Sequence, residues 1–134
     1  MQANLNCNCP KPQFGMAIHS NDAVNAIIKK RINKDLDKLT RLEDIFQDAS
    51  RNEVVDVCLH ANPDNASISA NIYAINQKSQ FCKQITENFF TKHFGGGIVG
   101  FIEKASRIAD DAAPQICKEI QVAERFENSK IFNQ

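Results

Sequence analysis

The chain predicts an α+β domain: a small antiparallel sheet of about three strands, including a hairpin near 53–76, packed against one long amphipathic helix and two or three C-terminal helices. Three observations predict it. Apolar residues recur at steps of three and four from Val24 to Phe46, two alternating runs flank the turn cluster Asn62-Pro63-Asp64-Asn65, and the helical period returns after Ser79. Residues 1–13 read as a flexible N-terminal arm, and 14–134 as a single domain.

Each element follows in order. Phe14, Met16 and Ile18 alternate with Gly15, Ala17 and His19, which marks a short strand. Ser20-Asn21-Asp22 supplies capping oxygens ahead of Val24, Ile27, Ile28, Ile32, Leu36, Leu39, Leu42, Ile45 and Phe46, a single broad stripe on a helix. Asp35 interrupts that stripe, so either it pairs with Arg31 one turn earlier or the helix breaks near Asn33. In the next run Val55, Val57 and Leu59 face one way and Asp56, Cys58 and His60 the other. After the turn Ile68, Ala70, Ile72 and Ala74 alternate with Ser67, Ser69, Asn71 and Tyr73, which predicts a β-hairpin whose polar sets share the outer, solvent-facing side.

From Ser79 the spacing of Phe81, Cys82, Ile85, Phe89 and Phe90 predicts a helix that ends at Gly95-Gly96-Gly97. A further helix carries Ile98, Ile102, Ala105, Ile108 and Ala109, and Pro114 either breaks it or opens a last helix with Ile116, Ile120, Ala123 and Phe126 on its apolar face.

Composition narrows the function. At 134 residues the chain is one domain's worth, long enough to bury a core without a metal or disulfide staple. Sixteen Lys and Arg balance sixteen Asp and Glu, which argues against a chain-wide grip on nucleic acid. The longest apolar run, Ile98 to Ile102, is too short to span a membrane, and no apolar leader precedes Pro10, so the expected setting is cytoplasmic, with no membrane. In that setting the five cysteines are expected as thiols.

The string Gly95-Gly96-Gly97-Ile98-Val99-Gly100 satisfies the dinucleotide fingerprint, but that motif works between a strand and a helix, whereas residues 89–94 read as helix. The glycines read instead as a hinge, and no cofactor is expected. Cys7-x-Cys9 is too tight for the usual zinc spacing, and its further ligands, His19 or Cys58, would come from elsewhere; no metal is expected.

Three functional readings remain. The leading one is a small non-enzymatic protein that binds another protein, as adaptor, chaperone or inhibitor, through the aromatic segment of Phe90, Phe94, Ile98 and Phe101; a homodimer through the sheet edge or long helix fits the same features. A second is RNA or ribosome association through Lys30, Lys34, Lys38 and Arg41, which fall on one side of the long helix next to Lys29 and Arg31. A third is a thiol enzyme or redox sensor in which His60 activates Cys58 on the shared strand face. Over residues 14–94 the order of strand, Lys-bearing helix, strands and helix loosely resembles the ribosome hibernation-promoting factors, whose sheet has one more strand; that resemblance implies ribosome association.

Overall fold

The structure, a computed structural model, describes residues 18–62, 67–88 and 97–132. Seven elements follow one another: β1 (Ile18–His19), α1 (Asp22–Ile32), α2 (Leu36–Ala49), β2 (Val55–Asn62), β3 (Ser67–Ala74), β4 (Cys82–Thr86) and α3 (Gly97–Phe132). The four strands form one mixed sheet in the order β1-β2-β3-β4. The expected arm at 1–13, the first half of the expected strand at 14–17 and the tip of the hairpin at 63–66 lie outside the described residues.

The long helix is two helices. Asn21 caps α1 by accepting from the Val24 N–H at 2.9 Å, and Asp35 caps α2 by accepting from Lys38 N at 3.2 Å. Between them Asn33 and Lys34 both take left-handed backbone conformations, with φ of 50° and 68°. Asp35 thus resolves as the cap of a second helix, the break that its position in the apolar stripe foreshadows. The bend also shifts the helical phase. Val24, Ile28 and Ile32 are buried from α1, and Leu42, Ile45 and Ala49 from α2, but Leu36 and Leu39 swing out to 74% and 37% exposure. Their place in one continuous stripe is therefore corrected.

The α1–α2 segment is the crossover that lets β1 lie parallel to β2, with Ile18 opposite Val57 and His19 opposite Cys58. The expected hairpin forms with Val57 opposite Ile72 and Cys58 opposite Asn71. Val55, Val57, Leu59, Ile68, Ala70, Ile72 and Ala74 point into the core beneath the helices.

Two expectations about the C-terminal half are overturned. Residues 82–86 form an edge strand where the sequence predicts a helix, antiparallel to β3, with Ile85 opposite Ala70 and Tyr73 opposite Cys82. Phe81 and Ile85 are four residues apart, a spacing that serves one helix face and one strand face equally. Lys83 between them marks the exposed edge. The two or three C-terminal helices are one helix of 36 residues. It runs through Pro114, whose ring faces solvent. Proline offers no N–H to the Asp110 carbonyl one turn earlier, and both residues are exposed. Ile116 is fully buried, Ile120 and Ala123 are half-buried, and Phe126 is exposed.

One ion pair ties the helical layer to the sheet edge. Glu87 follows β4 with its side chain at 0% exposure, and both of its oxygens accept from Arg31 Nη1 at 2.8 and 2.7 Å. It also accepts from the Ile68 N–H at 3.0 Å. Removing the cation leaves a buried carboxylate short of its partner, so Arg31→Met should cost about 3–5 kcal/mol in urea denaturation, with part of the loss recovered in Arg31→Met/Glu87→Gln. Lys34→Gly should instead stabilise by about 0.5–1 kcal/mol, because a left-handed lysine is strained and glycine is not.

Candidate functional site

The alternation that sends Val55, Val57 and Leu59 into the core sends Asp56, Cys58 and His60 to the opposite side of the sheet. Register extends that side into rows: Asp56 with Tyr73 and Cys82, then Cys58 with His19, Asn71 and Gln84, then His60 with Ser69 and Thr86. The expected sharing of one outer face by the two polar sets is present. Its exposure is not. Asp56 is 1% exposed, Cys58 and Asn71 are 3%, and Ser67 and Ser69 are buried as well, so the expected solvent face is buried along β2 and β3, while Gln84 and Thr86 on β4 are exposed.

Chemistry on this face starts with His19 and Asp56, whose Nε2 and Oδ2 stand 3.4 Å apart with side chains 10% and 2% exposed. Burial pushes the Asp56 carboxyl above its ordinary value of 3.8, and the charge and hydrogen bonding of His19 offset part of that rise. Tyr73 is raised too, first by burial and then by the nearby Asp56 charge. Lower on the face Asn62 Nδ2 donates to Ser67 Oγ at 2.8 Å and Ser69 Oγ at 3.1 Å, and Ser69 shares a hydroxyl contact of 3.1 Å with Thr86.

The structure places Cys58 and His60 on one face but does not join them as a thiol–imidazole pair. Cys58 is disulfide-bonded, as is Cys82, while Cys117 is free and exposed on α3. The imidazole Nε2 of His60 lies 3.2 Å from Asn71 Nδ2. A sulfur held in a disulfide is not a thiolate nucleophile. The thiol reading of Cys58 and the expectation that these cysteines persist as thiols are corrected on this ground.

The aromatic segment divides. Phe90 and Phe94 lie outside the described residues, as do Gly95 and Gly96 of the expected hinge. Ile98 and Phe101 are 4% and 2% exposed and belong to the hydrophobic core. They are packing residues, since the first two turns of α3 lie inward on the sheet and the helical layer. Gly97 opens α3 with φ of +65°. A strand, β4, precedes the glycines in the chain and a helix follows, but β4 is an antiparallel edge strand, so among the described residues the βαβ setting of a dinucleotide site is lacking.

The basic residues separate by their partners. Arg41 pairs with Glu103 on α3, and Arg31 with Glu87. Lys29, Lys30, Lys34 and Lys38 are exposed and take part in none of the ion pairs found among the described residues. They surround the α1–α2 bend, from which Leu36 and Leu39 protrude. Sequence reasoning found the lysines but missed the leucines, because a stripe counted at 100° per residue continues through a bend that the backbone does not. It also missed Tyr73 and Glu87, whose roles depend on cross-strand register and an end-of-strand position.

Among the described residues no three His, Cys, Asp or Glu side chains converge to hold a metal, and no helix is long and apolar enough to cross a membrane. Comparison of the chain with protein-family models, curated proteins and solved structures finds no match.

Asp56 gives a pH test with a definite sign. A carboxyl whose pKa is raised by folding binds its proton more tightly in the native state. Its stabilising contribution is complete below 3.8 and is lost as pH rises through the raised value. Asp56→Asn does not titrate. The urea stability of the parent minus that of Asp56→Asn should therefore fall as pH rises past 3.8; a rising difference would mean that the His19 pairing outweighs burial.

Proposed function

We propose that this chain is a non-enzymatic binding protein that engages the acidic, amphipathic surface of another protein through the α1–α2 bend. The observation that carries the reading is the exposure of Leu36, at 74%, among Lys30, Lys34 and Lys38. A solvated helix face needs no leucine, and a surface built only for phosphate backbones needs lysine without one. Lysines around an apolar centre suit a partner that offers carboxylates around its own apolar residues, so that charge steers the encounter and apolar contact holds it. The chain's zero net charge supports a local electrostatic contact over a chain-wide one.

No catalytic step is assigned, because the sulfur of Cys58 is in a disulfide and the imidazole of His60 faces Asn71. Two disulfide-bonded cysteines favour an oxidising compartment over the expected cytoplasmic setting.

The second reading, an RNA or ribosome contact, is favoured by the same lysines and by the fourth strand, which brings the sheet closer to that of the hibernation-promoting factors than three strands would. The two readings part at the leucines. Binding of a fluorescent Leu/Glu amphipathic peptide and of an RNA hairpin should be measured by anisotropy for the parent, for Lys30→Glu/Lys34→Glu/Lys38→Glu and for Leu36→Asp. Our reading expects peptide affinity to fall about tenfold or more in both variants, a loss of roughly 1.4 kcal/mol. Tight RNA binding that falls steeply with salt and is indifferent to Leu36→Asp would transfer the site to RNA. Peptide binding unchanged by the triple reversal would remove the bend as a contact surface.

A further inference from the structure

We propose that this chain exchanges β1 and α1 with a second copy of itself: the α1–α2 bend straightens, and the β1–α1 unit of each copy docks on the sheet of the other. The exchange goes beyond the partner contact assigned to the bend and does not rest on it. The inference begins with the backbone. Only Asn33, Lys34 and Asp35 separate α1 from α2. Two of them, Asn33 and Lys34, hold left-handed conformations with φ of 50° and 68°, and neither is glycine. Lysine rarely adopts that conformation, so the chain folds back on itself at the cost of strain. Short connections under strain are where chains swap elements.

The residues of the bend suit the straight form. From Asp22 to Ala49 there is no proline and no glycine, so nothing in residue type forbids one continuous helix. At 100° per residue Val24, Ile28 and Ile32 span about 80° of such a helix; Leu39 falls about 60° from Val24, inside that arc, and Leu36 lies about 40° beyond it. Leu42 returns to the direction of Val24. The bend breaks this phase and leaves Leu36 and Leu39 exposed. Two straightened helices crossing antiparallel about a two-fold axis at residues 33–36 bring the leucines of both copies together, so the second copy covers what the bend exposes. The Lys38 N–H, which Asp35 caps in the bent form, takes the Lys34 carbonyl four residues earlier in the straight one.

The docking contacts survive the exchange. Ile18 stands beside Val57 and His19 beside Cys58, α1 packs on β2 and α3 through Val24, Ile28 and Ile32, and Arg31 binds Glu87 at 2.7 Å. These partners all lie beyond the bend in the chain, so a second copy supplies them in the same geometry. Exchange thus keeps the contacts, relieves two strained residues in each copy and buries the leucines. Against these gains stand the freedom lost when two chains join and the repulsion between the lysines of the two bends.

Refolding the full chain from urea at high protein concentration in a glutathione redox buffer, followed by size-exclusion chromatography with light scattering, tests the exchange. Asn33→Ala/Lys34→Ala favours the helical form and should raise the dimer-to-monomer ratio about tenfold or more over the parent, whereas Asn33→Gly/Lys34→Gly accepts the bend without strain and should lower it. Equal ratios in the three proteins, or an alanine variant that is monomeric at every concentration, would overturn the proposal. Mixing then reads the exchange itself. Arg31→Met and Glu87→Gln, in the parent and the alanine backgrounds and with one of the two labelled with heavy nitrogen, are refolded together. In an exchanged heterodimer one lobe regains the Arg31–Glu87 pair and the other joins the two neutral side chains, whereas both homodimers keep two broken pairs. Native mass spectrometry should therefore show heterodimer well above the statistical proportion. Heterodimer at that proportion means that the copies meet without exchanging β1 and α1, and sinks the proposal.

Discussion

The buried carboxylate of Glu87 is the constraint on which the arrangement depends. It lies at the end of an edge strand with two hydrogen-bonding partners, the guanidinium of Arg31 and the N–H of Ile68. Those partners belong to the last turn of α1 and the second residue of β3, so one charge fixes helix to sheet and edge strand to central strand. A charge in this position is costly unless fully paired, so alternative seatings of α1 carry a penalty that apolar packing alone would not impose. The seating of α1 then decides where the chain leaves the helical layer, at Asn33 and Lys34, and so where the bend and its lysines stand.

The elements legible in the sequence are those whose pattern has a single interpretation. The hairpin of β2 and β3 is such a case, because strict alternation from Val54 to Ala61 and from Ser67 to Ala74 fits no helix. The cap at Asn21 and the break signalled by Asp35 are legible for the same reason: a short polar acceptor just before or within an apolar stripe has few uses other than capping. Residues 81–85 are illegible because Phe81 and Ile85 satisfy both periods, and strand pairing, a non-local interaction, makes the choice. Pro114 misleads in the other direction. Local propensity predicts an end to the helix, but the burial of Ile102, Ala105 and Ala109 before it and Ile116 after it holds one continuous axis.

The candidate site was legible in residue type and not in setting. Lys30, Lys34 and Lys38 are surface residues in either reading, whereas Arg41 drops out because Glu103, sixty-two positions along the chain, reaches it. Ile98 and Phe101 show the converse. Aromatic and branched residues next to glycines describe a docking groove and a core equally well, and only the third dimension separates them.

Asp56 connects the two sides of the molecule. A carboxylate on an open sheet face would hydrate freely and need no partner; this one is buried on a face that the helices do not cover, with the His19 imidazole 3.4 Å away. Its pKa is raised first by that burial, and His19 offsets part of the rise. The same holds for Tyr73, whose rise depends on burial first and on Asp56 second. Two titrating groups outside the apolar core are thus shifted in the same direction by the same first cause, burial on the polar side of the sheet. Water admitted to that face would relax both shifts together, while the apolar side of the sheet, held by Val57, Leu59, Ile68 and Ile72, has no reason to respond.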